Sequence, residues 1–222
     1  MLILGIDDAG RGPVIGPMVL AGCLIDEKTE KDFKKLGVKD SKLLTTKRRD
    51  FLAKEIKEKA ESYEVVLSYP NEIDGTNNHG VDLNKLEALK AAEIINKINK
   101  GFKKLKVIID CPSVSISKWK DFLKTKIENL SNLEFVIEHK ADKNYISVAA
   151  ASILAKDVRE KEIKEIQKKY GKEIGSGYCS DPVTMKFLEK YAKKHKEDGI
   201  FRKTWTTWKK ACSNLEQRKL FN

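Results

Sequence analysis

The amino-acid sequence predicts an α/β fold of about five strands, with flanking helices and a helical C-terminal extension. Short apolar runs closed by charged or turn-forming residues lie in the first 140 positions, and apolar residues recur at helical spacing after position 145. The length of 222 residues suits one large domain with or without a smaller appendage, and 41% hydrophobic residues suffice for a core. We therefore expect one domain at residues 1–180 and a helical extension at residues 181–222.

Five apolar runs predict the strands, because short runs of this kind, bounded by charge, Gly or Pro, are typical of buried strands. These runs are residues 2–6, 14–25, 63–69, 107–109 and 135–137. The first run is followed directly by Asp7 and the fourth by Asp110.

Capping residues and apolar spacing predict the helices. Asp181-Pro182 is the clearest start, since Asp is a preferred N-cap and Pro a preferred first helical residue. The polar stretch at residues 71–80 is predicted to be a connection. The other predicted helices begin near Thr45, Leu83, Ser117 and Tyr145, and a final basic helix carries Trp205, Trp208 and Leu215. Helical spacing favours packing for the two tryptophans, with stacking on nucleic acid as the alternative.

The charge is strongly basic, with a formal net charge of +11 and a pI near 9.3. The excess is concentrated at residues 186–219, which hold eleven Lys/Arg against four Asp/Glu. A basic surface of this kind indicates a polyanionic partner such as nucleic acid. On charge alone, a merely solvated lysine-rich surface explains the excess equally well.

Several site types are not expected. The four cysteines lie far apart without a CxxC pair, and the three histidines share no ligand spacing, so a zinc or redox site is unsupported. The chain has no GxxxxGK[ST] phosphate-binding loop. It also shows no signal-peptide pattern and no apolar run of about 20 residues for a membrane span. We expect a soluble, cytoplasmic, monomeric protein.

Aspartates follow the predicted strands at three places. Asp7 and Asp110 end strands, and Asp142 lies between the last strand and a long helix. Carboxylates at strand ends can converge on one edge of a sheet, where their mutual repulsion favours binding of Mg²⁺ or Mn²⁺ through hard oxygen ligands. A pair of such ions can activate water and stabilise the leaving oxygen of a phosphodiester. For each aspartate alone, the commoner role is to cap a turn or helix.

A glycine-rich turn follows the first strand. Gly10 and Gly12 flank Arg11, and glycines allow backbone amides to approach a ligand without obstruction by a Cβ atom. Directly after an acidic pair, this loop suits contact with a sugar hydroxyl and its phosphate. Taken alone, the three residues could be only a turn.

Five segments then form a more specific pattern, at residues 5–17, 40–42, 140–156, 175–182 and 202–205. In order, they resemble the motifs of type 2 ribonuclease H (ribonuclease HII) in its archaeal form. The matches run from residue 5 to residue 205, so the resemblance covers nearly the whole chain. It implies a ribonuclease H-like fold, with a five-stranded mixed sheet flanked by helices and a helical C-terminal region that binds substrate.

The resemblance also implies an activity. A member of this family is a metal-dependent endoribonuclease that hydrolyses the RNA strand of RNA–DNA hybrids and cuts 5′ to ribonucleotides embedded in duplex DNA. Two divalent ions, Mg²⁺ or Mn²⁺, would take part, and the products would carry 3′-hydroxyl and 5′-phosphate ends. Its partners would be the hybrid and the ribonucleotide-containing duplex.

Residue roles follow from the same resemblance, position by position. The four metal-binding, catalytic carboxylates would be Asp7, Asp8, Asp110 and Asp142. Gly10, Arg11 and Gly12 would contact the ribose 2′-hydroxyl and flanking phosphates at an RNA–DNA junction. Tyr178 would stack on the neighbouring deoxyribose, and Lys42 would contact a phosphate. One position departs from the family, which usually has Glu where this chain has Asp8, so a ligand could be lost there or reached through water.

Two alternatives stay open at this point. The first is a hybrid-binding protein without catalysis, in which Asp8 marks a degraded metal site. The second is a DNA-cutting nuclease or integrase of the same broad fold. Tyr178 and the Gly10–Gly12 turn argue against the second, since DNA has no 2′-hydroxyl to recognise.

Overall fold

The computed structural model describes residues 1–39 and 44–220, with side chains described through residue 213. One five-stranded sheet has the order β3-β2-β1-β4-β5. Its strands are β1 (Leu2–Ala9), β2 (Met18–Ile25), β3 (Ser62–Ser68), β4 (Leu105–Asp110) and β5 (Leu133–Glu138). The helices are α1 (Glu27–Leu36), α2 (Thr46–Lys59), α3 (Pro70–Asn78), α4 (Leu83–Ile98), α5 (Ile116–Lys124), α6 (Ala141–Asn144), α7 (Ile146–Tyr170), α8 (Pro182–Tyr191) and α9 (Thr206–Leu220), with a 3₁₀ turn at Lys172–Ile174. The predicted α/β class and five-stranded mixed sheet are confirmed.

The sheet is mixed because β1 pairs antiparallel with β2 and parallel with β4, which in turn pairs parallel with β5. The parallel strands β1 and β4 are buried on both faces at residues 4–6 and 107–109, as expected for strands covered by helices. Their last registered pair is Ile6 with Ile109, so the next residues, Asp7 and Asp110, lie side by side at the carboxyl end of this pairing.

Helix α7 approaches β1 at backbone distance. A Cβ atom at Gly5 would lie 2.1 Å from the carbonyl carbon of Ser147 and 2.3 Å from the amide nitrogen of Val148. Only glycine permits this approach, because a contact under 3 Å with backbone cannot be relieved by moving a side chain. The close approach brings the first turns of α7 alongside the strand that carries Asp7.

Three elements differ from the prediction. Strand β2 begins at Met18 and not at residue 14, because Gly16 has a φ of 84° and Pro17 lacks an amide hydrogen, and both interrupt an extended ladder. Helix α1 was not predicted, although its N-cap Asp26 accepts a hydrogen bond from the Thr29 amide at 2.7 Å. Residues 71–80, predicted to be a connection, instead lie largely in α3, which Pro70 begins at the first helical position.

Two compact units divide the chain. The first comprises residues 1–9, 19–66 and 83–158, and the second comprises residues 10–18, 67–82 and 159–222. The basic region from residue 181 therefore lies in the second unit, together with the loop at residues 10–18. Its role as a substrate-binding extension stays a prediction.

The core of the second unit is aromatic. Phe201 forms a β-bridge with Ile15 and packs on Trp208 with ring centroids 4.5 Å apart. Trp208 is buried, which confirms packing as its role. Within the described residues, no helix is long and apolar enough to cross a membrane.

Candidate active site

Three carboxylates converge in the first unit, at the edge of the sheet where β1 and β4 end. Oxygen atoms of Asp7, Asp110 and Asp142 all lie within 4.8 Å of one another. Asp7 and Asp142 are buried, and Asp110 is partly exposed. A set of closely spaced carboxylate oxygens is the donor set that Mg²⁺ or Mn²⁺ prefers, so these residues fit a divalent ion.

Local hydrogen bonds orient two of these carboxylates. Asp110 Oδ1 accepts from the Lys140 amide at 2.7 Å, and Asp7 Oδ1 accepts from the Asp8 amide at 2.8 Å. Lys140 has a φ of 60°, the only left-handed non-glycine residue in the described part of the chain. This conformation costs free energy for a residue with a Cβ atom, and here it aims the amide at Asp110 at the start of α6.

The electrostatics of the cluster favour a bound cation. Burial raises the pKa of the Asp7 carboxyl well above its ordinary value, and the neighbouring charges of Asp8 and Asp110 raise it further. A hydrogen bond with the Ser152 side chain on α7 acts in the opposite direction and stabilises the charged form. A divalent ion would relieve the repulsion without protonating any of the three carboxylates.

Asp8 is absent from this group of three among the described residues. It follows Asp7 on β1, and successive strand residues point to opposite faces of the sheet. Asp8 instead lines a small cavity with Glu87 of α4 and Trp119 of α5, which Asp7 and Asp110 also border. Its participation in metal binding stays a prediction.

Two residues of this site were missed by the sequence analysis. Glu87 is 1% exposed and borders the same cavity as Asp7, Asp8 and Asp110. A usable signal existed, because Glu87 falls on the same helical stripe as the apolar residues Ala91 and Ile94 of α4. Ser152 lies within a segment used for the family resemblance, but nothing local in the sequence marks its contact with Asp7.

The glycine-rich loop belongs to the second unit. Gly10 has a φ of 83°, and a Cβ atom at Gly12 would have no neighbour within 4 Å, so this part of the loop faces open space. The Gly12 carbonyl accepts a hydrogen bond from the Trp205 indole nitrogen at 3.3 Å. The loop is thus supported on one side by the C-terminal part of the chain and open on the other.

The tyrosine loop at residues 175–181 is built against the same loop. The Gly177 carbonyl accepts from the amides of Val14 and Ile15 at 2.9 and 3.2 Å. Asp181 accepts from the amide and hydroxyl of Ser176, each at 2.7 Å, and these bonds lower the pKa of Asp181 to about 2. The second unit therefore holds Gly10, Arg11, Gly12 and Tyr178 on two mutually hydrogen-bonded loops.

The side chain of Arg159 packs against one face of the Tyr178 ring. The Arg159 guanidinium lies 4.6 Å from the ring centroid and donates from Nη2 to the Ser176 carbonyl at 3.1 Å. The side chain of Tyr178 remains 39% exposed, which leaves it accessible to a ligand. Lys42, the predicted phosphate contact, lies outside the described residues.

Comparison with known proteins gives one consistent family. The family model described as Ribonuclease HII matches residues 4–208. Ribonuclease HII of Methanocaldococcus jannaschii is 42% identical over 230 residues, covering 99% of each chain, and that of Pyrococcus furiosus is 40% identical, covering 99% of this chain and 95% of the relative.

Solved structures agree with the sequence matches. Ribonuclease H2 from Pyrococcus horikoshii OT3 has a TM-score of 0.85 at 37% identity, covering 97% of this chain and 99% of that one. The Archaeoglobus fulgidus ribonuclease HII, solved in complex with PCNA, has a TM-score of 0.81 at 36% identity, covering 93% and 96%. A ribonuclease HIII (Bst-RNase HIII), solved with Mn²⁺, shares the fold, with a TM-score of 0.81 at 21% identity, covering 98% and 71%.

The raised pKa of Asp7 predicts how metal and pH affect stability. The folded state binds this proton more tightly than the unfolded state, so the contribution is fully present below the unfolded pKa of about 3.9 and is lost as pH rises through the folded pKa. With EDTA present, the free energy of unfolding should fall as pH rises above about 4, by about 1.4 kcal/mol for every tenfold difference in proton affinity between the two states. Asp7→Asn should remove this fall.

Urea unfolding monitored by circular dichroism between pH 4 and pH 8 measures the effect. Adding Mg²⁺ or Mn²⁺ at neutral pH should raise the free energy of unfolding of the native protein. The same addition should raise that of Asp7→Asn less. Asp121→Asn, at an exposed carboxylate on α5, is the matched control. Equal pH slopes for the native protein and Asp7→Asn would contradict the prediction.

Proposed function

Because the chain belongs to the ribonuclease HII family of metal-dependent endoribonucleases, which cleave the RNA strand of RNA–DNA hybrids, we propose that it also incises duplex DNA 5′ to an embedded ribonucleotide. The products would carry 3′-hydroxyl and 5′-phosphate ends. The observation that carries this proposal is the convergence of Asp7, Asp110 and Asp142 within 4.8 Å at one edge of the sheet. A cytoplasmic location and a monomeric state both stay predictions.

Two divalent ions, Mg²⁺ or Mn²⁺, are proposed as the cofactor. Asp7, Asp110 and Asp142 would hold them, with Asp8 contributing directly or through water. A pair of bound ions supplies an activated water and stabilisation of the leaving oxygen. The chain's own contribution is orientation, since the Lys140 amide fixes Asp110 and Ser152 supports the charged form of Asp7.

Substrate recognition is assigned to the two loops of the second unit. Gly10, Arg11 and Gly12 would contact the ribose 2′-hydroxyl and flanking phosphates, because the Gly12 side of the loop is open. Tyr178 would stack on the deoxyribose beyond the junction, with Arg159 supporting its inner face. Lys42 would contact a phosphate.

The basic C-terminal region is proposed to bind the phosphate backbone. Lys193, Lys196, Lys203 and Lys209 line one surface pocket beside Trp208 in the second unit. Lysines clustered around a concave surface favour binding of a polyanion over the alternative of a merely solvated surface.

Family membership decides between the alternatives that the sequence left open. The chain is an endoribonuclease of the hydrolase class, so neither a non-catalytic hybrid binder nor a DNA-specific nuclease describes it.

Mapped cleavage of a DNA duplex with one embedded ribonucleotide tests this function. Asp7→Asn and Asp110→Asn should each lower the rate by at least ~10²-fold, about 2.7 kcal/mol of barrier, because a shared ligand is lost. Duplex binding should persist, and Asp121→Asn should cut at the native rate. A variant that loses a carboxylate of the cluster yet cuts within about tenfold of the native enzyme would remove the three-carboxylate site from the mechanism.

Asp8 predicts an altered metal preference. Its carboxylate is one methylene shorter than the family's usual Glu, and Mg²⁺ demands near-octahedral geometry at about 2.1 Å. Asp8→Glu should therefore raise Mg²⁺-supported activity and reduce the advantage of Mn²⁺. Rates of both proteins in both metals decide the matter. If Asp8→Glu is slower in Mg²⁺ with an unchanged Mn²⁺/Mg²⁺ ratio, the native site is already adapted to the shorter side chain.

The basic region predicts a steep salt dependence of binding. Each phosphate neutralised contributes about −0.9 to the slope of log K against log salt for duplex DNA. Changing Lys193, Lys194, Lys209 and Lys210 to Glu should therefore make the slope shallower by about 2 or more. The matched control changes four exposed lysines of the first unit, Lys100, Lys103, Lys104 and Lys126, to Glu. Equal slopes in the two variants would show that the C-terminal lysines form only a solvated surface and do not bind the phosphates.

A further inference from the structure

Arg202 is a fully buried arginine whose hydrogen bonds all end on one loop. Its side chain is 0% exposed, and it lies in the second unit between Phe201 and α9. Nη2 donates to the Gly10 carbonyl at 2.6 Å and to the Gly16 carbonyl at 3.0 Å. Nη1 donates to the Arg11 carbonyl at 2.8 Å, and Nε donates to the Gly16 carbonyl at 3.1 Å.

This arrangement is costly, because burial lowers the pKa of Arg202 to about 10. The guanidinium bonds to neutral carbonyls, and its removal would leave three loop carbonyls without these donors. Its distinctive capability is geometric, since a planar fork of donors can gather three separate carbonyls at one point.

Gathering these carbonyls determines where the neighbouring amides point. In a planar trans peptide, the C=O of one residue and the N–H of the next are directed to opposite sides. With the Gly10 and Arg11 carbonyls turned toward Arg202, the amide hydrogens of Arg11 and Gly12 are directed away from it. The third carbonyl, of Gly16, precedes Pro17, which has no amide hydrogen.

The loop is open at Gly12. A Cβ atom built at Gly12 would meet nothing within 4 Å, so a ligand atom can approach there. Two successive N–H groups directed to one side form a concave donor pair that suits an oxygen atom carrying negative or partial negative charge.

The backbone of Arg202 is held on both sides. Its own amide donates to the Val14 carbonyl at 2.9 Å. Buried Asp74 of α3 accepts from the Lys203 amide at 2.6 Å, and from the amide and hydroxyl of Thr204 at 3.0 and 2.6 Å. The guanidinium is therefore presented to the loop from a fixed position.

We propose that Arg202 is a positioning residue for substrate recognition: it orients the amides of Arg11 and Gly12 as a donor pair for the 2′-oxygen of the ribonucleotide. The proposal rests on the proposed function and extends it from the loop to the buried group that shapes the loop. Loss of this group affects the distinction between ribose and deoxyribose more than it affects affinity for duplex DNA.

The test compares native enzyme with Arg202→Lys and Arg202→Met. Two assays are run: one gives kcat and KM on a duplex with one embedded ribonucleotide, and the other gives the inhibition constant of the all-DNA duplex of the same sequence as a competitor. Two misdirected donors should lower kcat/KM by about tenfold or more in each variant. The inhibition constant should change less than about twofold, because phosphate contacts dominate it.

Phe187→Leu is the matched control. Phe187 is 2% exposed in the core of the second unit, and its ring centroid lies 6.4 Å from that of Phe201, so this variant disturbs the packing beside Arg202 without removing a hydrogen bond to the loop. Its kcat/KM should stay near the native value.

A second measurement covers the case in which the Arg202 variants do not fold. Cys23 allows a synthetic segment of residues 1–22 to be ligated to residues 23–222, with glycolic acid in place of Gly12. This ester removes the Gly12 amide hydrogen and leaves the Arg202 side chain in place. It should lower kcat/KM by about three- to tenfold, with the all-DNA inhibition constant unchanged.

The outcomes separate this inference from the proposed function. A native enzyme that does not cut at the embedded ribonucleotide refutes the proposed function and this inference with it. If the native enzyme cuts there and Arg202→Lys or the ester cuts equally well, only the role of Arg202 is overturned. Parallel losses in kcat/KM and in all-DNA inhibition also overturn it, since they indicate general disruption of the loop.

Discussion

The repulsion among carboxylates at the end of two parallel strands is the constraint on which the first unit depends. The parallel pairing of β1 with β4 places Asp7 and Asp110 side by side, and Asp142 joins them from α6. Burial and neighbouring charge raise the pKa of Asp7, so the apoprotein holds these groups together at a cost. The close contact of α7 with Gly5 and the strained Lys140 backbone are parts of the same arrangement.

Under the proposed function, the two units have different tasks with different chemistry. The first unit supplies hard oxygen ligands on rigid strand ends, where small errors in position would change coordination. The second unit supplies backbone donors, an aromatic face and basic side chains, which suit a sugar–phosphate ligand. Chain continuity links the tasks, because Asp7 and Asp8 lie two and one residues before Ala9, where the chain passes into the loop of the second unit.

Much of the fold and part of the site could be predicted from the sequence, because local patterns of residues determine them. The buried strands appear as apolar runs, and Asp181-Pro182 marks the start of α8 without ambiguity. Metal-site geometry was predictable for Asp7 and Asp110 because strand ends share an edge. The role of Asp8 stays a prediction, since Asp8 borders the same cavity as Asp7 and Asp110 but is not among the three carboxylates that converge. The contacts of Ser152, Arg159 and Arg202 could not be predicted, because their partners are distant in sequence.

The hydrogen bond between Arg202 and the Gly10 carbonyl joins positions 192 residues apart. During synthesis the N-terminal loop therefore emerges from the ribosome long before the side chain that shapes it. Strand β1 also depends on partners that are synthesised later, namely β4 and the helix that carries Ser152. Such distant closure slows folding, because chain entropy is lost before the contacts that offset it can form. A nascent chain of this protein thus has its first aspartates available early, whereas the loop at residues 10–18 gains its contacts with Arg202 only when translation is nearly finished.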